Sequence, residues 1–123
     1  MNHGKMAEAF KKLKAWQAAY KMVLEIYKIT EKFPKHEMYG MTSQIRRAAV
    51  SVSANIAEGY GRQHRKEYVQ FLSIARGSLG EVETYILLAK DLGYINENVY
   101  GQLDGLRQET GRILTGLIRS LNS

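Results

Sequence analysis

Residues 38–76 read MYGMTSQIRRAAVSVSANIAEGYGRQHRKEYVQFLSIAR, two helical patterns joined by a basic turn with glycines at its entry. Placed at 100° steps, Met38, Met41, Ile45, Ala48, Ala49, Val52, Ile56 and Gly59 share one face of about 100°, the width of a helix seated on a core. A second stripe runs beside it, made of Gln44, Arg47, Ser51, Asn55, Glu58 and Arg62. Only Arg46, Arg47 and Glu58 are charged between Met38 and Gly59. That is too little charge for a solvated back, so this helix is expected to be covered on more than one side, with a neighbouring subunit as the second cover.

Toward the amino terminus, Ala9, Leu13, Trp16, Gln17, Tyr20, Val23, Leu24 and Tyr27 keep helical period on one side, while Lys11, Lys12, Lys14, Lys21 and Lys28 fall mostly elsewhere. This predicts a first amphipathic helix from about Met6, after a frayed start over residues 1–5. A basic amphipathic helix can also lie on a membrane, but tyrosines and a glutamine on its apolar side favour a solvated lysine back. Pro34, the sole proline, ends this helix near Lys32, because the residue before a proline avoids the helical region. Phe33 to Glu37 then make a turn of the length usual between antiparallel helices. Helix two runs from Met38 to about Gly59, where Gly59, Gly61 and the polar Arg62-Gln63-His64 stop it.

Toward the carboxyl terminus, helix three spans about Arg65 to Asp91. Its core stripe is Tyr68, Phe71, Leu72, Ala75, Leu79, Val82, Ile86 and Ala89, and Glu67, Gln70, Ile74, Ser78, Glu81 and Tyr85 form a mixed second stripe. Gly93 closes it and Asn96 is placed to cap the next. Val99, Leu103, Leu106, Thr110, Ile113, Leu117 and Leu121 keep near-heptad spacing to the end, which makes helix four. Its Gly101, Gly105, Gly111 and Gly116 each cost roughly 1 kcal/mol relative to alanine, so they weaken the helix or mark a close packing surface. Four helices of similar length on short turns predict one all-α domain over residues 1–123, an antiparallel up-down-up-down four-helix bundle.

The 123 residues fit a single domain with one continuous core. The absence of cysteine excludes disulfides and thiolate chemistry and agrees with a reducing compartment. No apolar run approaches the roughly 18 residues of a membrane span and no secretion-signal core is present, so a cytoplasmic protein away from membranes is expected. His3, His36 and His64 are isolated, and no H-x-x-x-H or Glu-x-x-His spacing offers a metal site; neither metal nor cofactor is expected. Ser51, Asn55, Glu58 and Glu81 have no histidine on their helix faces to serve as base, so no enzyme is expected. The G-x-G of Gly59-Tyr60-Gly61 ends a helix, whereas a phosphate cradle follows a strand and opens one.

Net charge is +6, but residues 1–66 hold 13 Lys/Arg against 5 Asp/Glu, and residues 67–123 hold 5 against 7. The densest basic cluster is Arg62, His64, Arg65 and Lys66, flanked by Tyr60 and Tyr68. Arg62, Arg65 and Lys66, with Lys11, Lys12 and Lys14, are the candidate nucleic-acid contacts; the same residue types also furnish an ordinary solvated turn. Gln44, Arg47, Ser51, Asn55, Glu58, Ser78 and Glu81 read as a polar seam or a subunit contact. A hairpin symmetric about residues 62 and 63 sets Ser51 level with Ile74 and brings Arg47 within about a turn of Ser78 and Glu81, so Arg47 and Glu81 are expected to pair.

Several motifs then stand in order: Leu13-x-x-Trp16-Gln17; Phe33-Pro34-x-x-Glu37-x-Tyr39-Gly40-Met41-Thr42; Gln44-Ile45-Arg46-Arg47-Ala48-Ala49-x-Ser51; Asn55-Ile56-Ala57-Glu58-Gly59; and Ala75-Arg76-Gly77-Ser78-Leu79-x-Glu81. Together they resemble the bacterial four-helix bundle proteins encoded in intervening sequences of large-subunit ribosomal RNA genes. The likeness spans about Leu13 to Ile95. It implies a non-enzymatic bundle that assembles into homo-oligomeric rings, commonly pentamers. It is also similar to the accessory variability determinant of diversity-generating retroelements, which engages nucleic acid and a reverse transcriptase, and so implies RNA or DNA as partner. Two functions follow as expectations: a nucleic-acid-binding ring with little sequence specificity, or a structural adaptor oligomer that joins proteins without nucleic acid. Where the family often has Ser-Ile-Pro-x-Asn-Ile, this chain has Ser51-Val52-Ser53-Ala54-Asn55-Ile56, which leaves helix two without an internal proline kink.

Overall fold

The apolar stripes converge on one core in the computed structural model, which describes residues 9–123. Helices α1 (Lys14–Thr30), α2 (Met41–Tyr60), α3 (Arg65–Asp91) and α4 (Glu97–Asn122) run up, down, up and down, with 3-10 turns at Ala9–Lys12 and Lys35–Glu37 and no strand among the described residues. Each helix packs on two neighbours, α1 on α2 and α4, α3 on α2 and α4, so the cross-section is a square. Met22 and Ile26 of α1, Ile45, Val52 and Ile56 of α2, Leu72, Val82 and Ile86 of α3, and Leu114 of α4 are fully buried at its centre. Each such side chain contributes about 1.5–3 kcal/mol by leaving water. The buried Thr110 hydroxyl donates to the Leu106 carbonyl at 2.8 Å, so it joins the core without an orphaned polar atom. None of the helices is long and apolar enough to cross a membrane, among the described residues.

The helix boundaries follow from identifiable caps. Asn96 caps α4 as its type and position suggest, its side chain accepting from the Val99 amide at 2.8 Å. Gly93, at φ +80°, closes α3: the Tyr94 amide reaches back to the Ala89 carbonyl and the Gly93 amide to that of Lys90. That double bond is the Schellman arrangement, and glycine adopts its left-handed residue without strain. α2 is unbroken from Met41 to Tyr60.

Three expectations need correction. Helix one, whose expected start near Met6 lies outside the described residues, is interrupted within them: the chain makes a 3-10 turn at Ala9–Lys12, extends at Leu13 and enters α1 at Lys14. The Gln17 side chain donates to the Lys11 carbonyl, and the Phe10 ring packs 5.1 Å from Trp16, which fixes the bend. The expected frayed start, residues 1–5, lies outside the described residues. Met38 is not in the core stripe of helix two but 56% exposed, because the 3-10 turn at Lys35–Glu37 and the bend at Gly40 delay the helix to Met41. The Glu37 carboxylate then accepts from the Met41 amide at 3.0 Å and caps α2 from outside it.

The third correction concerns register. Ser51 faces Ser78, one turn further along α3 than the Ile74 expected from a symmetric hairpin. The cause is Gly59, where a Cβ would stand 2.7 Å from the Phe71 Cβ and 3.2 Å from the Tyr68 carbonyl oxygen. The bare glycine lets α3 lie against α2 at Tyr68 and Phe71, and that close approach sets the pairing for the whole hairpin.

Candidate nucleic-acid interface and polar seam

Up-down topology places the start of α1, the end of α2, the start of α3 and the end of α4 at one end of the bundle. Lys11, Lys12 and Lys14 therefore gather at the same end as Arg62, Arg65 and Lys66, although some fifty residues separate the two groups in sequence. Arg65 and Lys66 are exposed in the first turn of α3 and have no ion-pair partner among the described residues. Arg62 is different. Its guanidinium donates to Glu58 at 2.6 Å, lies 3.9 Å from Glu67 and sits 4.7 Å over the Phe71 ring. The charge expected to meet phosphate is thus largely spent on closing the α2–α3 turn.

The seam residues divide in the same way. Ser51 and Ser78 share a hydrogen bond of 2.8 Å, and the Asn55 amide donates to the Ser51 carbonyl and hydroxyl at 2.8 and 3.0 Å. These three form a connected network between α2 and α3. Arg47 and Glu81 do not make the expected ion pair; both are exposed and line, with Gln44 and the two serines, an open hollow of about 170 Å³. Ser51 and Ser78 hold the facing position in the seam instead. Glu58 leaves the seam for Arg62.

Two strips of exposed apolar side chains flank α2. On the α1 side lie Tyr20, Leu24 and Tyr27 with Val50, and Arg46 stacks 4.5 Å over the Tyr27 ring while donating to Thr30 and to the Tyr27 carbonyl. On the α3 side, Ile74, Leu88 and Leu92 follow the line that runs through Ser78, Glu81 and Tyr85. The α3 strip continues the second stripe expected through Ile74, Ser78, Glu81 and Tyr85 as far as Leu88 and Leu92, whereas Tyr20, Leu24 and Tyr27, expected on the apolar side of helix one, are exposed. Their placement depends on which helices are neighbours.

Electrostatic shifts occur at both ends of the bundle, with a bonded pair at the end opposite the basic residues. Glu37 titrates below the usual glutamate range because the Met41 amide and then the Tyr94 hydroxyl bond its carboxylate, the latter at 2.8 Å. Tyr94 is raised by the same bond. Tyr68 is raised by burial, and its hydroxyl is the buried side-chain polar atom without a partner among the described residues. There is also no group of three or more histidine, aspartate or glutamate side chains able to hold a metal ion among them.

Fold and surfaces together define a small basic four-helix bundle that carries its polar groups on faces and ends. A family model for the 23S rRNA-intervening sequence protein matches residues 11–116, and the chain belongs to that family. A crystal structure of a protein with unknown function from the S23 ribosomal protein family of Bacteroides thetaiotaomicron superposes with a TM-score of 0.76. It is 24% identical, and the match covers 85% of this chain and 97% of that one, a likeness of fold. No curated protein matches the sequence.

Proposed function

We propose that this protein is a non-enzymatic scaffold that closes into a homo-oligomeric ring and binds RNA or DNA with little sequence preference. The observation that carries the ring is the pair of apolar strips on either side of α2. They are unlike surfaces, so one subunit's α1–α2 strip would meet the next subunit's α2–α3 strip, a head-to-tail contact that closes into a ring when the rotation permits. A pentamer is the size the family resemblance favours. Support for nucleic acid comes from the end of the bundle that gathers Lys11, Lys12, Lys14, Arg65 and Lys66, because a ring repeats that patch once per subunit and phosphate contacts add across it. A cytoplasmic location fits such a partner.

Light scattering with and without a single-stranded RNA of about thirty nucleotides tests both halves. The protein alone should give a multiple of 14.0 kDa, and Leu24→Glu or Ile74→Glu should lower that mass by placing a charge in the contact. A wild-type particle of 14.0 kDa would overturn the ring. RNA should add its mass to the particle at low salt, with log K declining by about 0.7–0.9 per phosphate as log [salt] rises. An intact ring that takes up neither RNA nor DNA at low salt is the adaptor instead.

A further inference from the structure

Four of the five basic residues in the net-acidic half of the chain lie together. Arg76 of α3 and Arg107, Arg112 and Arg119 of α4 line an open groove of about 610 Å³ between these helices. The antiparallel register orders them: Glu83 stands level with Arg107 at 3.3 Å, and Leu79 meets Gly111. By the same register Arg76 is level with about residue 114, between Arg112 and Arg119. Arg107 to Arg119 spans about 18 Å of helix at 1.5 Å per residue. The guanidinium groups therefore form a row along the groove.

Their states differ in a useful way. Arg107 is mostly buried and held by Asp104 at 2.8 Å as well as Glu83, which makes it a fixed wall. Arg112 bonds Glu109 at 2.6 Å. A guanidinium has five donors, so both retain N–H groups for a further acceptor. Arg76 and Arg119 are exposed and have no ion-pair partner among the described residues. Two glycines of the groove, Gly80 and Gly116, would place a Cβ in open space, so packing does not account for glycine in mid-helix there. Their bareness lowers the groove wall beside the arginines.

We propose that this groove binds the phosphodiester backbone of a nucleic-acid strand. A row about 18 Å long suits an extended chain of phosphates better than one isolated anion. No aromatic side chain lines it, so bases would find nothing to stack on and recognition would stop at the backbone. The α3–α4 face is also one that the proposed subunit contact, which flanks α2, leaves open. The proposal rests on the nucleic-acid reading above, but it moves the main contact from the end of the bundle to its side.

The test uses two probes on the intact protein: tripolyphosphate by titration calorimetry, and a labelled single-stranded RNA of twelve nucleotides by fluorescence anisotropy. The variants are Arg76→Gln with Arg119→Gln, both exposed and outside any ion pair among the described residues, and separately Arg65→Gln with Lys66→Gln. The groove variant should bind both probes about 10- to 100-fold more weakly, while the end variant loses less. Its salt slope for RNA should also be shallower, by about 0.7 for each phosphate contact removed. Unchanged binding in the groove variant, with RNA binding lost in the end variant, would overturn the groove and leave the nucleic-acid reading intact. Failure of the wild type to take up tripolyphosphate would also overturn the groove. Arginine-dependent binding of tripolyphosphate with no binding of RNA would overturn both, since the site would then serve small anions only.

Discussion

Gly59 on α2 approaches Phe71 on α3 so closely that a β-carbon at position 59 would stand 2.7 Å from that of Phe71. The obstructing atom is the root of a side chain, and the Tyr68 carbonyl lies behind it at 3.2 Å, so neither can move without shifting a helix. Gly59→Ala gains up to about 1 kcal/mol of helix propensity. Overpacking costs about 1–3 kcal/mol, and here it falls on backbone and Cβ. The net expectation is destabilisation by about 1–2 kcal/mol. Gly105→Ala, whose Cβ would meet nothing within 4 Å, should instead stabilise by up to about 1 kcal/mol. Chemical denaturation of the two variants checks the opposite signs.

The same contact explains what could be read in the sequence and what could not. Helix three was legible to its ends because basic polar residues precede Arg65 and Gly93 follows Asp91, both local signals. The pairing of α2 with α3 was not, since counting outward from the turn assumes a symmetric hairpin and the glycine contact moves it by one turn. In the shifted register Ser51 and Ser78 are the pair that meets, while Arg47 and Glu81, still about level, stay exposed and do not bridge each other. Met38 was misplaced because Glu37 caps from outside the helix, a tertiary use of an ordinary glutamate. The arginine groove was hidden in a half of the chain whose net charge is negative, and only the packing of α3 on α4 assembles it.

Folding energetics should distinguish the two seam pairs. A double-mutant cycle on Ser51→Ala and Ser78→Ala is expected to show coupling of about 0.5–1.5 kcal/mol, the range of a hydrogen bond between neutral partners. Arg47 and Glu81, both exposed and making no bridge to each other, should couple by less than about 0.5 kcal/mol. Larger coupling of the charged pair, appearing only at concentrations where the protein assembles, would place it in the subunit contact.

Tyr68 carries a buried hydroxyl with no partner among the described residues, its ring standing edge-on 5.9 Å from Tyr60. Removing that oxygen deletes an unmet hydrogen-bonding need while keeping the ring. Tyr68→Phe should therefore leave stability unchanged or raise it by up to about 1 kcal/mol, read as a higher melting temperature. A loss of stability would mean that the hydroxyl finds an acceptor in the assembled protein.

Acid should loosen the end of the bundle opposite the basic patch. The folded Glu37 carboxylate titrates below its ordinary value of about 4.3, held down by the Met41 amide and then by Tyr94. A depressed carboxylate stabilises the fold above its unfolded pKa, and that contribution disappears as pH falls through the folded one. Glu37→Gln keeps an acceptor for Met41 but cannot titrate. Its melting temperature should lie below that of the wild type at pH 7, with the gap narrowing below about pH 4. A gap constant from pH 7 to pH 3 would show that the charge of Glu37 is immaterial.

Arg62 offers the sharpest separation of folding from binding. It was grouped with Arg65 and Lys66 as a phosphate contact, yet its guanidinium is engaged by Glu58, Glu67 and the Phe71 ring, all within the α2–α3 turn. Truncation to alanine removes the charge-assisted bond to Glu58 and uncovers the aromatic face, while Arg65 and Lys66 stay in place. Exposed ion pairs contribute about 0.2–1 kcal/mol and a cation over an exposed ring about 0.5–1, so Arg62→Ala should destabilise by roughly 1 kcal/mol. Because this cation already has its partners, RNA affinity at a fixed salt concentration should fall by less than about threefold, against tenfold or more for Arg65→Ala with Lys66→Ala if the bundle end contacts phosphate. Parallel melting curves and RNA titrations on the two variants decide the matter: an Arg62→Ala protein that melts normally but loses RNA would return Arg62 to the interface.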